Sequence, residues 1–315
     1  MLTRRTVILA GREATYGTDP SMTGSNGLLA YDVDIDIKGE VLKRDVLRDS
    51  LSPLPHVIGM KEVALTFKTE LKGNGVTGTA PNVPEIDPML HACAFATAAV
   101  GGTGLTYNLV SNENTIGSAS MKVYIDGNLH KITGARGTMK LAMEAGKYGV
   151  CEWEFSGLYN AVSAATIPDI SGLTANKPPI VYNSSFQIGG YSPVCSSLNL
   201  DLGNNVVRRD DLNSTDGVHS FRIAGREGKM EFTPDAVVES SNPYWGDWSG
   251  DVVDTYSVIV GASAGTGNKI DISGFFQIET NKYGDADGIR QYEIAASLCS
   301  SDADAQNDEM TIKFR

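Results

Sequence analysis

At 315 residues the chain can bury two cores of ordinary size, and a hydrophobic content of 41% is typical of a folded, water-soluble protein. A net charge of −12 excludes a protein that grips nucleic acid through lysine and arginine contacts to phosphate, and no apolar run approaches the roughly 18 residues of a membrane helix. The apolar patch Val7–Ala10 behind the basic start is shorter than a signal peptide's apolar core of about 7–15 residues.

In chain order, residues 1–28 are rich in Gly, Thr and Ser and read as an extended arm. From Tyr31 to Ile37, Val33, Ile35 and Ile37 alternate with Asp32, Asp34 and Asp36, the period-two pattern of a half-buried strand with an acidic exposed face. Lys43–Met60 is charged, then proline-containing, and reads as a long loop; Val63, Leu65 and Phe67 resume the alternation. Asp87-Pro88 opens the best helical stretch, with Asp suited to the N-cap and Pro to the first turn. Ile86, Leu90, Cys93, Thr97 and Val100 keep near-helical spacing up to Gly101-Gly102. Met121, Val123 and Ile125 lead into Asp126-Gly127, a two-residue hairpin signal, and strands follow near Met139–Met143 and Glu152–Leu158. Asn160–Pro179 reads as a surface linker. Beyond it Leu198, Leu200 and Leu202 alternate with Asn199 and Asp201, and Arg208–Phe221 reads as a second long loop. Asn242-Pro243-Tyr244-Trp245 opens a shorter helix. Tyr256–Val260, Ile270–Ile278, Arg290–Leu298 and Met310–Phe314 read as strands.

The second half echoes the first. Val41, Arg44, Asp45, Leu47, Ile58, Glu62 and Phe67 return as Val206, Arg209, Asp210, Leu212, Ile223, Glu227 and Phe232, all 165 positions later (206 − 41 = 165). Glu144 and Lys147-Tyr148-Gly149 return as Glu279 and Lys282-Tyr283-Gly284 (279 − 144 = 135), and Trp153-Glu154-Phe155 is answered by Tyr292-Glu293-Ile294. One order of echoes in both halves predicts an internal duplication. The expected fold is mainly β (α+β): two tandem β-sandwich or half-barrel domains, each with one flanking helix. The expected boundaries are an arm at 1–28, a first domain at 29–160, a linker at 161–179 and a second domain at 180–315.

No chemistry-bearing constellation stands out. Gly261-Ala-Ser263-Ala-Gly265 matches a nucleophile elbow, but it leads into a strand rather than a helix, so a glycine-rich hairpin loop explains it better. Asp285, Asp287, Gly288 and Glu293 lack the loop length of a calcium site, and three aspartates in a row along a strand chelate one ion poorly. Cys93, Cys151, Cys195 and Cys299 are scattered and predict reduced, buried thiols; His56, His91, His130 and His219 form no cluster. The expectation is a non-enzyme without metal or cofactor.

Several segments, taken in order, resemble the tail tube (major tail) proteins of long-tailed, non-contractile bacteriophages. They are Glu13-Ala-Thr-Tyr16-Gly17-Thr-Asp-Pro20, the acidic first strand, the Arg44-Asp45 loop, the helix begun at Pro88, and Asp126-Gly127 through Lys131-Ile132-Thr133-Gly134-Ala-Arg136-Gly137. The resemblance implies a structural virion protein, made and assembled in the host cytoplasm, whose domains form six-membered rings that stack into a hollow tube for DNA. With two domains per chain, three chains would supply a pseudo-sixfold ring; the other arrangement is a hexamer whose second domain lies outside. Tail terminator and tail-tip proteins would meet the tube's ends and a tape measure protein its lumen, with DNA passing transiently and no membrane insertion. Asp32, Asp34, Asp36, Asn199 and Asp201 are the expected lumen lining. Lys43, Arg44, Asp45, Arg208, Arg209 and Asp210 are the expected contacts to the next ring. A β-sandwich adhesin or carbohydrate-binding protein is the alternative, with Tyr244, Trp245 and Trp248 its only aromatic cluster.

Overall fold

The computed structural model describes residues 5–75, 83–100, 104–171, 173, 176–261 and 267–315. The chain is mainly antiparallel β. Its first half contains β1 (Thr6–Arg12), β2 (Gly27–Leu28), β3 (Ala30–Leu42), β4 (Val57–Glu70), α1 (Asp87–Ala92), β5 (Phe95–Val100), β6 (Gly104–Leu109), β7 (Ala119–Ile125), β8 (Asn128–Glu144), β9 (Val150–Tyr159) and β10 (Ser163–Ala164). The second contains β11 (Gln187–Ile188), β12 (Cys195–Asp201), β13 (Asn204–Asp210), β14 (Val218–Arg226), β15 (Lys229–Pro234), α2 (Tyr244–Ser249), β16 (Val253–Val260), β17 (Ile270–Ala286), β18 (Ile289–Leu298) and β19 (Thr311–Phe314).

Antiparallel pairing carries one strip of sheet through β3–β4–β9–β8–β12–β15–β18–β17. The long strands β8 and β17 also belong to further ladders: β8 joins β7, which joins β1, and β17 joins β16 and β19, which join β11 and β6. Two strand pairings join the sheets of the halves, where Leu141 of β8 faces Leu200 of β12 and where Tyr107 of β6 faces Ile312 of β19. One hydrophobic core runs through both. Phe67, Trp153 and Phe155 stack within it on the first side, and Phe232 meets Tyr244 and Phe276 on the second. Each of these buried aromatics contributes about 2–3 kcal/mol of transfer free energy.

The alternating segments form the expected strands, and Asp126 (φ 39) with Gly127 (φ 107) makes the two-residue turn between β7 and β8. Other expectations are corrected. Thr6–Arg12 is a strand with Ile8, Leu9 and Ala10 buried against β7, so the N-terminal stretch is part of the sheet rather than an arm. α1 stops at Ala92, because Ala94 takes a left-handed φ of 66 and Phe95 onward pairs with β6; Thr97 and Val100 are strand residues. Asp87 lies in the first turn, with Ile86 at the N-cap position. α2 is as short as α1 at six residues, where a shorter helix is expected. Arg208–Phe221 is not a loop: β13 and β14 form a hairpin whose tip is 211–217. Lys147-Tyr148-Gly149 sits in the turn between β8 and β9, whereas Lys282-Tyr283-Gly284 continues strand β17, so that echo joins unlike positions. Trp153 faces Phe67 while Ile294, not Tyr292, faces Phe232, a two-residue shift that keeps the same face inward. The linker stretch rests on the first half, through β10 on β8 and the Ser171 amide donating to the Gly24 carbonyl.

Candidate assembly interfaces

Strand alternation gives the β3-to-β17 strip one apolar and one polar face. The polar face carries Asp34 and Asp36 opposite Thr66 and Ala64, then Glu154 and Glu152 opposite Thr138 and Lys140, and Asp201 and Asn199 opposite Lys140 and Ala142. Glu231 and Lys229 follow, then Glu293 opposite Lys282. Asp32, Asp34, Asp36, Asn199 and Asp201 therefore lie on one continuous face, four of them exposed and Asp201 half-buried. Three shallow depressions of about 290, 350 and 320 Å³ run in series along it. Carboxylates outnumber lysines there, and two lysines are tied down. Lys68 Nζ lies 2.9 Å from Glu152 and 3.6 Å from Asp32, and Lys140 Nζ lies 3.1 Å from Asp201. The hydrogen bond to Glu152 raises the Lys68 pKa, and that to Asp201 raises the Lys140 pKa, so both ammonium groups stay charged.

Two hairpins leave this strip with the same internal register. Val41 faces Ile58 in the first and Val206 faces Ile223 in the second; deeper in, Ile35 faces Leu65 and Leu200 faces Met230. Each pair stands 165 positions from its counterpart (206 − 41 and 223 − 58). The β13–β14 hairpin folds onto the first half, where Val218, Ser220 and Phe221 are buried. The β3–β4 hairpin projects, with Val41, Leu42, Val57 and Ile58 exposed and Leu47 and Leu51 at its tip fully so.

The seat for the second hairpin is built from two widely separated segments. Glu13 accepts hydrogen bonds from the Gly17 amide (2.7 Å), Ser118 Oγ (2.6 Å), Ser120 Oγ (2.5 Å) and the Gly134 amide (2.7 Å). That clamp holds Tyr16 across Gly134, whose carbonyl accepts from the Tyr16 hydroxyl at 2.8 Å. Gly134 has φ 60, and a Cβ there would sit 2.6 Å from the Tyr16 ring, so only glycine serves. The Tyr16 hydroxyl in turn accepts from the Phe221 amide at 2.7 Å. Burial pushes its pKa up to about 12, which keeps it a neutral donor. Buried Arg136 stands 5.4 Å over the Tyr16 ring. It donates to Glu113 (2.6 Å), to the carbonyls of Ile116 (3.1 Å) and Gly117 (3.3 Å), and to the Phe221 carbonyl (3.3 Å). Further out Arg208 pairs with Glu62 (3.1 Å) and Asp210 (2.7 Å), and Lys61 with Asp216 (3.3 Å).

Among the residues expected to reach another ring, Lys43, Arg44, Asp45, Arg209 and Asp210 are exposed. Arg208 is half-buried, and both its ion pairs lie within the chain, where its hairpin rests on β4. Sequence reading missed the seat. Glu13, Tyr16, Gly134 and Arg136 appear there only as parts of two short motifs, and the one local signal is an arginine set among small residues (Gly134-Ala135-Arg136-Gly137) in the middle of a strand. Among the described residues no group of His, Cys, Asp or Glu is arranged to hold a metal ion, and no helix is long and apolar enough to cross a membrane. Cys93 and Cys151 are buried as expected, while Cys195 and Cys299 are only half-buried; all four are free thiols. The elbow serine, Ser263, lies outside the described residues.

The chain is thus mainly β, with a continuous polar face, one projecting hairpin and a buried polar seat for the other. The profile of the phage tail tube protein family matches residues 3–296, and the chain belongs to that family of structural tail components. No curated protein matches it. The family gives no support to an adhesin, and the aromatic cluster invoked for one is partly core, with Tyr244 buried.

Proposed function

We propose that three copies close a ring of six β units, that rings stack into the tail tube, and that the strip's polar face lines a channel for DNA. The observation that carries this reading is the β8–β12 joint. The two halves have the same hairpin register 165 residues apart, and the edge of one already continues into the sheet of the other. A unit that joins its neighbour by an edge closes into a barrel only when every edge finds a partner, and a chain of two such units fills two ring positions. Electron microscopy of the purified, polymerised protein tests it: three chains per ring with both halves at the lumen is the expected result. Six chains with one half facing inward overturns it.

Stacking falls to the hairpin tips at 43–56 and 211–217, where Leu47, Leu51 and Leu212 have no cover within the chain. Lys43, Arg44, Asp45, Arg209 and Asp210 flank them. Deleting 46–52 should leave a folded chain that forms rings but no tubes. The channel wall repels DNA rather than holding it, since a basic wall would bind phosphate by counterion release. Glu154, Asn199 and Glu231, all exposed on the polar face, test this. Changed together to Lys, they should leave tubes intact yet make them retain DNA, most strongly at low salt. In the virion the tube's ends meet terminator and tip proteins, and its lumen holds the tape measure protein before ejection.

A further inference from the structure

Among the described residues, the strip from β3 to β17 ends in an open sheet edge on each side. β3 pairs only with β4, and beyond Ile278 β17 pairs only with β18. The joint between β8 and β12 shows how such edges fit. Phe67 faces Trp153, which faces Met139; in the second half Phe232 faces Ile294, which faces Asn281. Phe232 stands 165 positions after Phe67, so Asn281 holds the place of Met139, and Lys282 and Tyr283 hold the places of Lys140 and Leu141. On the other edge Asp36 and Ile35 stand 165 positions before Asp201 and Leu200. Within the chain Lys140 faces Asp201, with the ion pair at 3.1 Å, and Leu141 faces Leu200. The open edges thus carry the same side-chain types at the same places: Lys282 for Lys140, Asp36 for Asp201, Tyr283 for Leu141, Ile35 for Leu200.

The hairpins repeat the correspondence independently. Arg208 of the second hairpin bonds Glu62 of the first half; 165 positions earlier stands Lys43, and 165 positions after Glu62 stands Glu227. Charge sign is kept at both. Among the described residues, Lys43, Lys282 and Glu227 have no ion-pair partner within the chain. Tyr283 is 55% exposed whereas Leu141, in the joint that is already made, is 1% exposed.

We propose that the Lys282–Ala286 end of β17 pairs with Asp32–Asp36 of β3 in the next copy of this chain, in the register of the β8–β12 joint. Lys282 then meets Asp36, and Glu227 meets Lys43 on a hairpin laid across the neighbour. The inference rests on the three-chain ring and adds the partner surface and its register. It also gives the first hairpin a seat inside the ring, leaving only its tip for stacking.

Cysteine pairs read the register directly. A D36C/K282C chain, assembled and mildly oxidised, should give reductant-sensitive covalent dimers and closed trimers that wild-type protein lacks. D34C/K282C is displaced by two residues, which puts the Cα atoms about 7–8 Å apart and out of disulfide reach, and it should give little. Three-chain rings in which D36C/K282C stays uncoupled, or in which D34C/K282C couples instead, overturn the joint and leave the ring reading standing. Rings of six chains overturn both. Charge reversal gives a second reading. K282D and D36K alone should each slow ring formation about tenfold, since like charges then face each other across the joint, and the two together should restore it; K43E and E227K should behave likewise. Double variants no better than the singles overturn the assigned pairs.

Discussion

The hairpins β3–β4 and β13–β14 share cross-strand partners and differ in surroundings. Val206 and Ile223 belong to a hairpin whose inner side is buried on the first half; Val41 and Ile58, the equivalent pair, are exposed. The sequence of each hairpin sets its form, but the receptor sets its burial. Glu13, Tyr16, Gly134 and Arg136 provide a receptor for the second hairpin, while the place of Arg136 in the second half falls to Gln277. That follows from Arg136 facing Ser156 and Gln277 facing Ser297.

The sharpest way to break this comparison is to remove the buried anchor. Phe221→Ala should cost about 3–5 kcal/mol in denaturant unfolding, whereas His56→Ala, at the same place in the exposed hairpin, should change the unassembled chain by no more than about 0.5 kcal/mol. Equal costs would mean that the projecting hairpin is already seated. Arg136→Ala should cost about 3 kcal/mol, because Glu113 and three carbonyls lose a buried donor together. Arg136→Lys should rescue little of it, since one ammonium cannot reach the whole set, and protease cleavage within 204–226 should rise in parallel. Tyr16→Phe removes only the hydroxyl between the Phe221 amide and the Gly134 carbonyl. A loss of about 1–3 kcal/mol and faster hydrogen exchange at the Phe221 amide are expected.

The smallest effect separates the two helices by pH. Asp87 of α1 is pushed up by burial, but the neighbouring His91 imidazole, 3.4 Å away, and the hydrogen bond from Tyr107 outweigh it and leave the pKa lowered. Its folded value lies below the unfolded one, so its contribution is present above the ordinary aspartate range near pH ~3.9 and is lost as pH falls through the folded value. Asp247 of α2 is raised, by burial first and then by Asp254 and Glu239. Its cost is present at neutral pH and disappears on acidification. Acid should therefore loosen α1 before α2, visible as earlier amide exchange around Leu90 than around Trp248; Asp87→Asn should abolish the difference.

Much of the strand content was legible, because half-buried strands print their alternation directly, as in Asp32–Ile37 and at the Asp126-Gly127 turn. The acidic face followed from the same alternation. What escaped was set by distant partners. Arg208–Phe221 looked like a loop since its burial comes from the first half and not from its own pattern. Thr97 fits a helix by spacing but pairs with Tyr107 in a strand. The seat joins residues more than a hundred positions apart, Glu13 with Gly134 and Tyr16 with Phe221, and no local pattern encodes such a meeting.

The joint between β8 and β12 has a kinetic consequence. Its two edges are tethered on one polypeptide, so it forms at a rate independent of concentration and at the high effective concentration of a tether. In a three-chain ring, half of the seams are finished before any two molecules collide. Only the other half obey mass action, and their side chains can evolve toward weaker or slower closure without loosening the seams already made. Polymer growth and chain folding then answer to different residues, so that a copy can be fully folded while its ring is still open.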